Sequence, residues 1–162
     1  MLDDPDWLTH VLVAWTLSRL LQIRFRQFDE KNTAIVMVGA LVPDIVKIGL
    51  LFDFFRINAW NFLAPFHTPV GALLSSALIS LLFQESSLAF GMLVLGASTH
   101  FALDFCLKHV AGGMLLLFPF SWQGYQVGLF QSDNYWPCLV ALILASVVLI
   151  ITRYLKRQHP SL

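Results

Sequence analysis

Two ionisable residues, His100 and Asp104, stand four positions apart within a long apolar stretch of the chain. This spacing places both side chains on one face of a helix, about one turn apart. A divalent metal ion can be bound by two ligands arranged in this way. The alternative is a hydrogen bond within the helix and no metal, and the spacing alone leaves both interpretations open.

A second carboxylate, Asp44, follows Pro43 in the sequence GALVPD. Proline within a helix frees a carbonyl group and allows a kink, from which an aspartate can reach a metal ion. Alternatively, Asp44 pairs with Lys47, three residues later, and the two charges neutralise each other. The two interpretations are compatible, and Lys47 could also face a substrate anion.

Two more histidines, His10 and His67, stand near the starts of apolar stretches. An ionisable side chain at the centre of a membrane helix costs about 2.5–3.5 kcal/mol, so such residues point to a functional role. His109, which lies beside Lys108, is interpreted instead as solvated or as facing lipid headgroups.

The composition indicates an integral membrane protein. Of the 162 residues, 57% are hydrophobic and 12% are charged, whereas about a quarter of the residues are charged in soluble domains. A chain this apolar cannot cover itself with a water-compatible surface. Its formal net charge is zero, so bulk electrostatics give no reason to expect a nucleic acid partner. The length fits a single membrane-embedded domain, 1–162.

Five apolar segments predict helices, roughly at 7–23, 33–55, 62–83, 88–110 and 135–154. Each is close to the ~20 residues that a helix needs to cross the hydrocarbon core. Strands are not expected, because no segment shows sustained two-residue alternation and an open sheet cannot face lipid. The sequence therefore predicts an all-α membrane bundle with about five transmembrane or membrane-embedded helices.

The stretch between the last two segments, 114–136, mixes aromatic residues, glycines and a proline. It is too interrupted for a span and too apolar for a free loop. We therefore predict an interfacial or re-entrant segment, with Trp122 near the level of the headgroups. Just before it, Gly112 and Gly113 predict the C-terminal cap of the fourth helix.

Lysine and arginine residues predict the orientation in the membrane. With five crossings, one side holds the first turn and the C-terminal tail, which contain Arg24, Arg26, Lys31, Arg153, Lys156 and Arg157. The other side holds Arg56 and Lys108. The sequence thus predicts a multi-pass protein of the inner or plasma membrane, with a cytoplasmic C-terminus and an outer N-terminus.

This topology brings the buried histidines and aspartates to compatible depths in the outer half of the bundle. The residues concerned are His10, Asp44, His67, His100 and Asp104. Three histidines and two carboxylates predict a divalent metal site, with zinc as the favoured ion.

The order of short motifs supports the same residues. WLTH, GALVPD, FHTPVGALL, STHFALD and LLLFPFSW follow one another over roughly 7–125. This order resembles the predicted membrane-bound metal-dependent hydrolases and, more loosely, the zinc-dependent phospholipase C pattern. The resemblance implies the same five metal ligands. The chain departs from it at Val46, where many members have a second aspartate, and at 64–66, where many have an extra histidine.

These features predict a metal-dependent hydrolase at the outer membrane boundary. The expected substrate is a phosphate ester of a membrane lipid or of a lipid-linked molecule, because the site would open beside the bilayer. Asp44 or Asp104 is the candidate catalytic base, and Lys47 and Trp122 are the candidate substrate-binding residues. The sequence predicts neither the identity of the substrate nor the oligomeric state.

Interpretations without catalysis stay open at this point. The same residues could form a polar network that holds the helices together or conducts protons or ions. They could also form a metal-binding scaffold without turnover, or belong to a partner subunit of another membrane protein.

Overall fold

The structure, a computed structural model, describes residues 7–108, 112–131 and 134–158. The helices in these ranges are α1 (Trp7–Gln22), α2 (Glu30–Gly39), α3 (Gly49–Phe54), α4 (Trp60–Leu63), α5 (Pro69–Ser80), α6 (Ser86–Cys106) and α7 (Trp136–Gln158). Two 3-10 helices, which we call the Pro43 turn (Pro43–Ile48) and the His67 turn (Ala64–His67), precede α3 and α5. His109, expected to be solvated or to face headgroups, lies outside the described residues.

The single helix predicted for 33–55 is wrong, because the chain forms three shorter elements there. Helix α2 begins after Asp29, whose carboxylate accepts a hydrogen bond from the Asn32 N–H at 2.8 Å. After α2, backbone bonds join residues three apart, as from the Asp44 N–H to the Leu41 carbonyl at 3.1 Å, so the chain winds more tightly. Pro43 lacks the N–H that would continue α2, and this explains the break.

The helix predicted for 62–83 begins later than expected, at Pro69. Its cap is Thr68, whose hydroxyl accepts a hydrogen bond from the Gly71 N–H at 3.1 Å and donates one to the Pro65 carbonyl at 2.6 Å. Proline at the first helical position needs no N–H partner. The cap therefore ends the His67 turn directly beside the start of α5.

Helices α2 and α6 approach each other closely through glycine. A Cβ added to Gly39 would collide with the backbone of Leu93, and one added to Gly96 would collide with the Val36 carbonyl and come within 2.6 Å of the Ala40 nitrogen. Small residues at a helix crossing allow two backbones to approach in this way. The crossing brings the C-terminal end of α2 against the middle of α6.

Two helices are long and apolar enough to cross a membrane: α6 with 21 residues and α7 with 23. At 1.5 Å per residue they measure about 32 and 35 Å, and the hydrocarbon core is about 30 Å thick. The helices α1, α2 and α5 have 16, 10 and 12 residues, too few to span it by themselves. Among the described residues, the structure thus supports two candidate spans and not the five that were predicted.

Helix α6 ends earlier than the sequence predicts. The chain leaves it at Leu107 in an extended conformation, so the cap predicted at Gly112 and Gly113 is wrong. The chain that returns towards α6 donates the Val127 N–H to the Phe105 carbonyl at 2.8 Å. Because α6 ends here, no N–H from a further helical turn can bond to the Phe105 carbonyl, and the Val127 N–H satisfies it instead.

Two very short strands form here, contrary to the prediction that the chain contains none. They are β1 (Leu107–Lys108) and β2 (Phe130–Gln131), which run parallel, and Met114 and Tyr125 pair in a single antiparallel bridge. Backbone groups between α6 and α7 thereby find partners without a helix. The remaining regular structure of the described residues is helical.

The helices present two different ends. Helix α1 packs against α2, and α5 packs against α6. Short connections reverse the chain within each pair, so α1 and α5 begin where α2 and α6 end; we call this the histidine end. At the opposite end, which we call the basic end, Arg19 of α1 and Arg153 of α7 line one cavity. The C-terminal part of α7 therefore lies beside the end of α1.

Candidate metal centre

Five side chains from four elements meet at the histidine end. They are His10 from the first turn of α1, Asp44 from the Pro43 turn, His67 from the His67 turn, and His100 and Asp104 from the last turns of α6. Potential ligand atoms of His10, Asp44 and His100 lie within 4.8 Å of one another, as do those of His67, His100 and Asp104. Because the two groups share His100, they form one cluster, and it contains every residue that the sequence indicates as a metal ligand.

The shortest separations in the cluster form a triangle. His67 Nε2, His100 Nε2 and Asp104 Oδ2 lie 3.1 Å from one another on all three sides. In a tetrahedral zinc site with bonds of about 2.0–2.1 Å, neighbouring ligand atoms are about 3.3 Å apart. The three donor atoms therefore already have nearly the spacing that such an ion requires.

The second ring nitrogen of His100 decides which nitrogen faces the triangle. His100 Nδ1 lies 2.8 Å from the Ala40 carbonyl oxygen. Because a carbonyl can only accept, Nδ1 carries a hydrogen, and in the neutral ring Nε2 then keeps its lone pair. Metal-binding histidines generally donate from the other ring nitrogen in this manner, which orients the ring.

Pro43 explains why the Ala40 carbonyl is available. In a continuing α-helix that carbonyl would accept from the Asp44 N–H, but the Asp44 N–H bonds to the Leu41 carbonyl instead. In a 3-10 helix its donor would be residue 43, where proline has no N–H. The sequence predicts that proline frees a carbonyl, but it does not assign that carbonyl to His100, because the partner lies in another helix.

His10 and Asp44 complete the cluster and have polar atoms that are not satisfied by protein groups. The His10 ring is completely buried and stacks on His100, with ring centroids 3.9 Å apart. Its Nε2 lies 3.4 Å from Asp104 Oδ1, yet among the described residues neither ring nitrogen has a hydrogen-bond partner. The same holds for Asp44 Oδ1, which is 4.0 Å from His100 Nε2. A bound cation would satisfy these atoms, which are otherwise costly to bury.

The formal charges of the cluster also fit a divalent cation. Asp44 and Asp104 contribute two negative charges, and Lys47 contributes one positive charge through an ion pair of 2.9 Å with Asp44 Oδ2. With neutral imidazole rings, one negative charge stays buried, which is unfavourable unless a cation compensates it. Donor types, spacing and charge are therefore all compatible with zinc or a similar ion.

The cluster is partly exposed at His67 and at the neighbouring Lys47. The side chains of His67 and Lys47 are 19% and 18% exposed, whereas those of Asp44 and Asp104 are almost completely buried. Lys47 Nζ also lies 5.9 Å from the ring centroid of Trp7, within the range of a cation–π contact. The contact with Trp7 was not predicted, because the place of this residue at the start of the WLTH motif carries no signal of a contact with Lys47.

Trp122, the other predicted substrate-binding residue, lies in the segment between α6 and α7. Its side chain is 72% exposed, and its ring contacts Phe118 edge-on with the centroids 5.1 Å apart. The structure thus groups Lys47 with the cluster, while the described ring contact of Trp122 is with a neighbour in its own segment. The role of Trp122 stays a prediction.

Comparison with protein families identifies the family of this chain. The family described as YdjM inner membrane protein matches residues 6–160 of the chain. No curated protein and no solved structure matches the chain. The family match includes the whole cluster and both candidate membrane helices, so the chain belongs to the YdjM family of inner membrane proteins.

Proposed function

We propose that the chain is a metal-dependent hydrolase of the inner membrane that cleaves a phosphate ester of a lipid or lipid-linked substrate. The observation that carries this proposal is the triangle of His67 Nε2, His100 Nε2 and Asp104 Oδ2 with sides of 3.1 Å. Two imidazoles and one carboxylate, with His10 as a further candidate ligand, form a donor set that suits zinc.

The proposed reaction is the attack of water on phosphorus. A bound divalent ion supplies a Lewis acid that activates water and polarises the ester. The water oxygen forms a bond to phosphorus while the phosphorus–oxygen ester bond breaks. The proton that the water loses is carried to the departing alcohol oxygen, so the products are the alcohol and phosphate. We assign the acceptance of that proton to Asp44 Oδ1, since Asp104 lies in the metal-binding triangle. We assign to Lys47, whose side chain is 18% exposed, the attraction of the substrate phosphate.

A lipid-type substrate is favoured by the aromatic residues at the histidine end. Large aromatic side chains with more than half of their surface exposed occur in the segments around the cluster: Trp7, Phe54, Phe55, Phe62, Phe120, Trp122, Tyr135 and Trp136. Aromatic residues concentrate at the level of the lipid headgroups. A cluster at that level meets the phosphate esters of lipids and of lipid-linked molecules directly.

The distribution of basic residues supports an outward-facing cluster. Seven of the ten lysines and arginines belong to the basic end or the sequence next to it: Arg19, Arg24, Arg26, Lys31, Arg153, Lys156 and Arg157. The positive-inside rule assigns this end to the cytoplasm. We therefore propose a multi-pass protein with a cytoplasmic C-terminus, in which α1, α2 and α5 are embedded beside α6.

The decisive experiment measures metal and turnover on the same preparation. Elemental analysis of the full chain, purified in detergent, is expected to find near-stoichiometric zinc or another divalent ion. His100→Ala should lose that metal, whereas Ser98→Ala, which removes an exposed hydroxyl from the same helix, should retain it. Phosphate release from phosphatidic acid in mixed micelles is then measured before and after chelation.

The outcomes separate the proposed functions. Phosphate release that is abolished by chelator and absent in His100→Ala supports the hydrolase. Bound metal without hydrolysis of any phospholipid or lipid pyrophosphate tested would instead support a metal-binding scaffold. If the wild-type protein binds no metal, the cluster is a structural polar network, an alternative that the ion pair between Asp44 and Lys47 favours.

A further inference from the structure

A second site, independent of the proposed hydrolase, lies at the basic end. A cavity of about 460 Å³ opens between the end of α1, the start of α2 and the C-terminal part of α7. This volume is in the range of small-molecule sites, roughly 300–1,000 Å³. Three cations line it: Arg19, Arg153 and Lys156. None of them belongs to the cluster of histidines and aspartates, which lies at the histidine end.

One of these cations is held in place by protein contacts. Arg19 Nη1 donates to Gln22 Oε1 at 2.9 Å, and the guanidinium lies 5.5 Å from the centroid of the Trp15 ring. Arg19 Nη2 is 4.0 Å from Glu30 Oε1, a weak pair because that carboxylate is 82% exposed. Arg19 is thus pre-positioned without being strongly neutralised.

The other two cations come from α7. Arg153 and Lys156 are exposed, and among the described residues no carboxylate forms an ion pair with either of them. Two acidic residues, Asp29 and Glu30, also line the cavity, and Asp29 already accepts the Asn32 N–H as the cap of α2. The cavity therefore offers more positive charge than its own carboxylates compensate.

Part of the cavity wall is apolar. Ile23 at the end of α1, and Leu149 and Leu155 on α7, line the same cavity. Helix α7 continues from there as an exposed apolar surface, on which Ile143 is 54% and Ile150 is 68% exposed. A small inorganic anion would satisfy the cations and leave these apolar walls uncovered. An occupant with both an anionic group and acyl chains covers both kinds of surface.

We propose that this cavity binds the headgroup of an anionic phospholipid. Its phosphate contacts Arg19, Arg153 and Lys156, and its acyl chains lie along the apolar face of α7. Basic pockets between membrane helices on the cytoplasmic side bind anionic headgroups by the same combination of charge and apolar surface. The bound lipid contacts α1 and α7 together and stabilises their packing.

The test follows thermal unfolding of the full chain in neutral detergent while dioleoylphosphatidylglycerol is added. The expected result is a rise in the melting temperature that saturates. Dioleoylphosphatidylcholine has the same acyl chains without net charge and should give a much smaller rise. Inorganic phosphate carries the anion without acyl chains. If phosphate alone stabilises the protein as much as phosphatidylglycerol, the site takes a free anion and the lipid assignment is wrong.

Variants that remove charge test whether the lipid binds at this cavity. Removing two basic residues near an anionic headgroup, at about 1 kcal/mol each, corresponds to a roughly 30-fold weaker interaction. The double variant Arg153→Gln/Lys156→Gln should therefore need about 30 times more phosphatidylglycerol for half-saturation. The matched control Arg24→Gln/Arg26→Gln removes two exposed cations next to the same end, neither of which lines the cavity, and should change little.

Two further measurements test whether the loss of lipid binding is specific to the charges of the cavity. Arg153→Lys/Lys156→Arg preserves the charges and should bind lipid like the wild type, which attributes the loss in the Gln double variant to charge. The metal content of the Gln double variant should equal that of the wild type, because the cluster is at the other end. Equal phosphatidylglycerol binding by the Gln double variant and the wild type, or an equal loss in the control variant, would overturn the proposal.

Discussion

Gly96→Ala offers a sharp test of how the helix crossing controls the cluster. A Cβ at this position would collide with the Val36 carbonyl and lie 2.6 Å from the Ala40 nitrogen, both in the backbone of α2. Ordinary van der Waals contact begins near 3.4 Å. Because backbone atoms cannot rotate away as a side chain does, α2 and α6 must separate by at least about 0.8 Å, the difference between those two distances, and the closer Val36 carbonyl requires still more.

The same separation acts on His100. Its Nδ1 now lies 2.8 Å from the Ala40 carbonyl, and a shift of about 0.8 Å would stretch this distance to about 3.6 Å, beyond a hydrogen bond. Loss of such a supporting bond to a metal ligand typically weakens metal binding by about 10- to 100-fold. Overpacking at the crossing should also cost about 1–3 kcal/mol of unfolding free energy.

The assay compares Gly96→Ala with Gly91→Ala. Both glycines lie in α6, but a Cβ added to Gly91 meets nothing within 4 Å, so alanine there should be neutral or stabilising by up to about 1 kcal/mol. Zinc affinity is measured by competition with a chromophoric chelator, and stability by thermal unfolding in detergent. If Gly96→Ala binds zinc with wild-type affinity and melts at the wild-type temperature, the close crossing does not position His100.

Three further predictions concern the elements around the cluster. Pro43→Ala supplies an N–H that can bond to the Ala40 carbonyl, so zinc affinity measured by chelator competition should fall; unchanged affinity would contradict the role of proline. Thr68→Val removes the cap of α5 and should lower the unfolding free energy by about 1 kcal/mol, whereas Thr68→Ser should melt close to the wild-type temperature; similar melting of both variants would exclude the cap. Lys47→Gln should reduce the rate of phosphate release at saturating zinc more than it reduces the amount of bound zinc. If the rate and the bound zinc fall by the same factor, this lysine supports metal binding and does not contact the substrate.

Part of the cluster could be predicted from the sequence because the relevant geometry is local. His100 and Asp104 share a helix face at any i, i+4 spacing, and the structure places their donor atoms 3.1 Å apart. Asp44 and Lys47 are likewise neighbours within one turn, and they form an ion pair of 2.9 Å. Pairs of this kind require only that the segment be helical.

The fold was predicted less completely, because apolar composition does not reveal where a helix stops. The segment 33–55 is apolar enough for one span, yet Pro43 divides it into α2, the Pro43 turn and α3. The strands after α6 could not be predicted, because a strand of two residues is too short to show alternation. The number of crossings that composition suggests is therefore larger than the number of helices that are long enough.

The sequence by itself determined that this is an apolar, helical membrane protein with histidines and aspartates in its helices, because composition and i, i+4 spacing are local properties. Only the tertiary structure decided that His10 stacks on His100, that the Ala40 carbonyl orients that ring, and that Arg19 and Arg153 line the same cavity. Each of these contacts joins different helices. Their geometry depends on how closely the backbones pack, as at Gly96, and no local pattern specifies that distance.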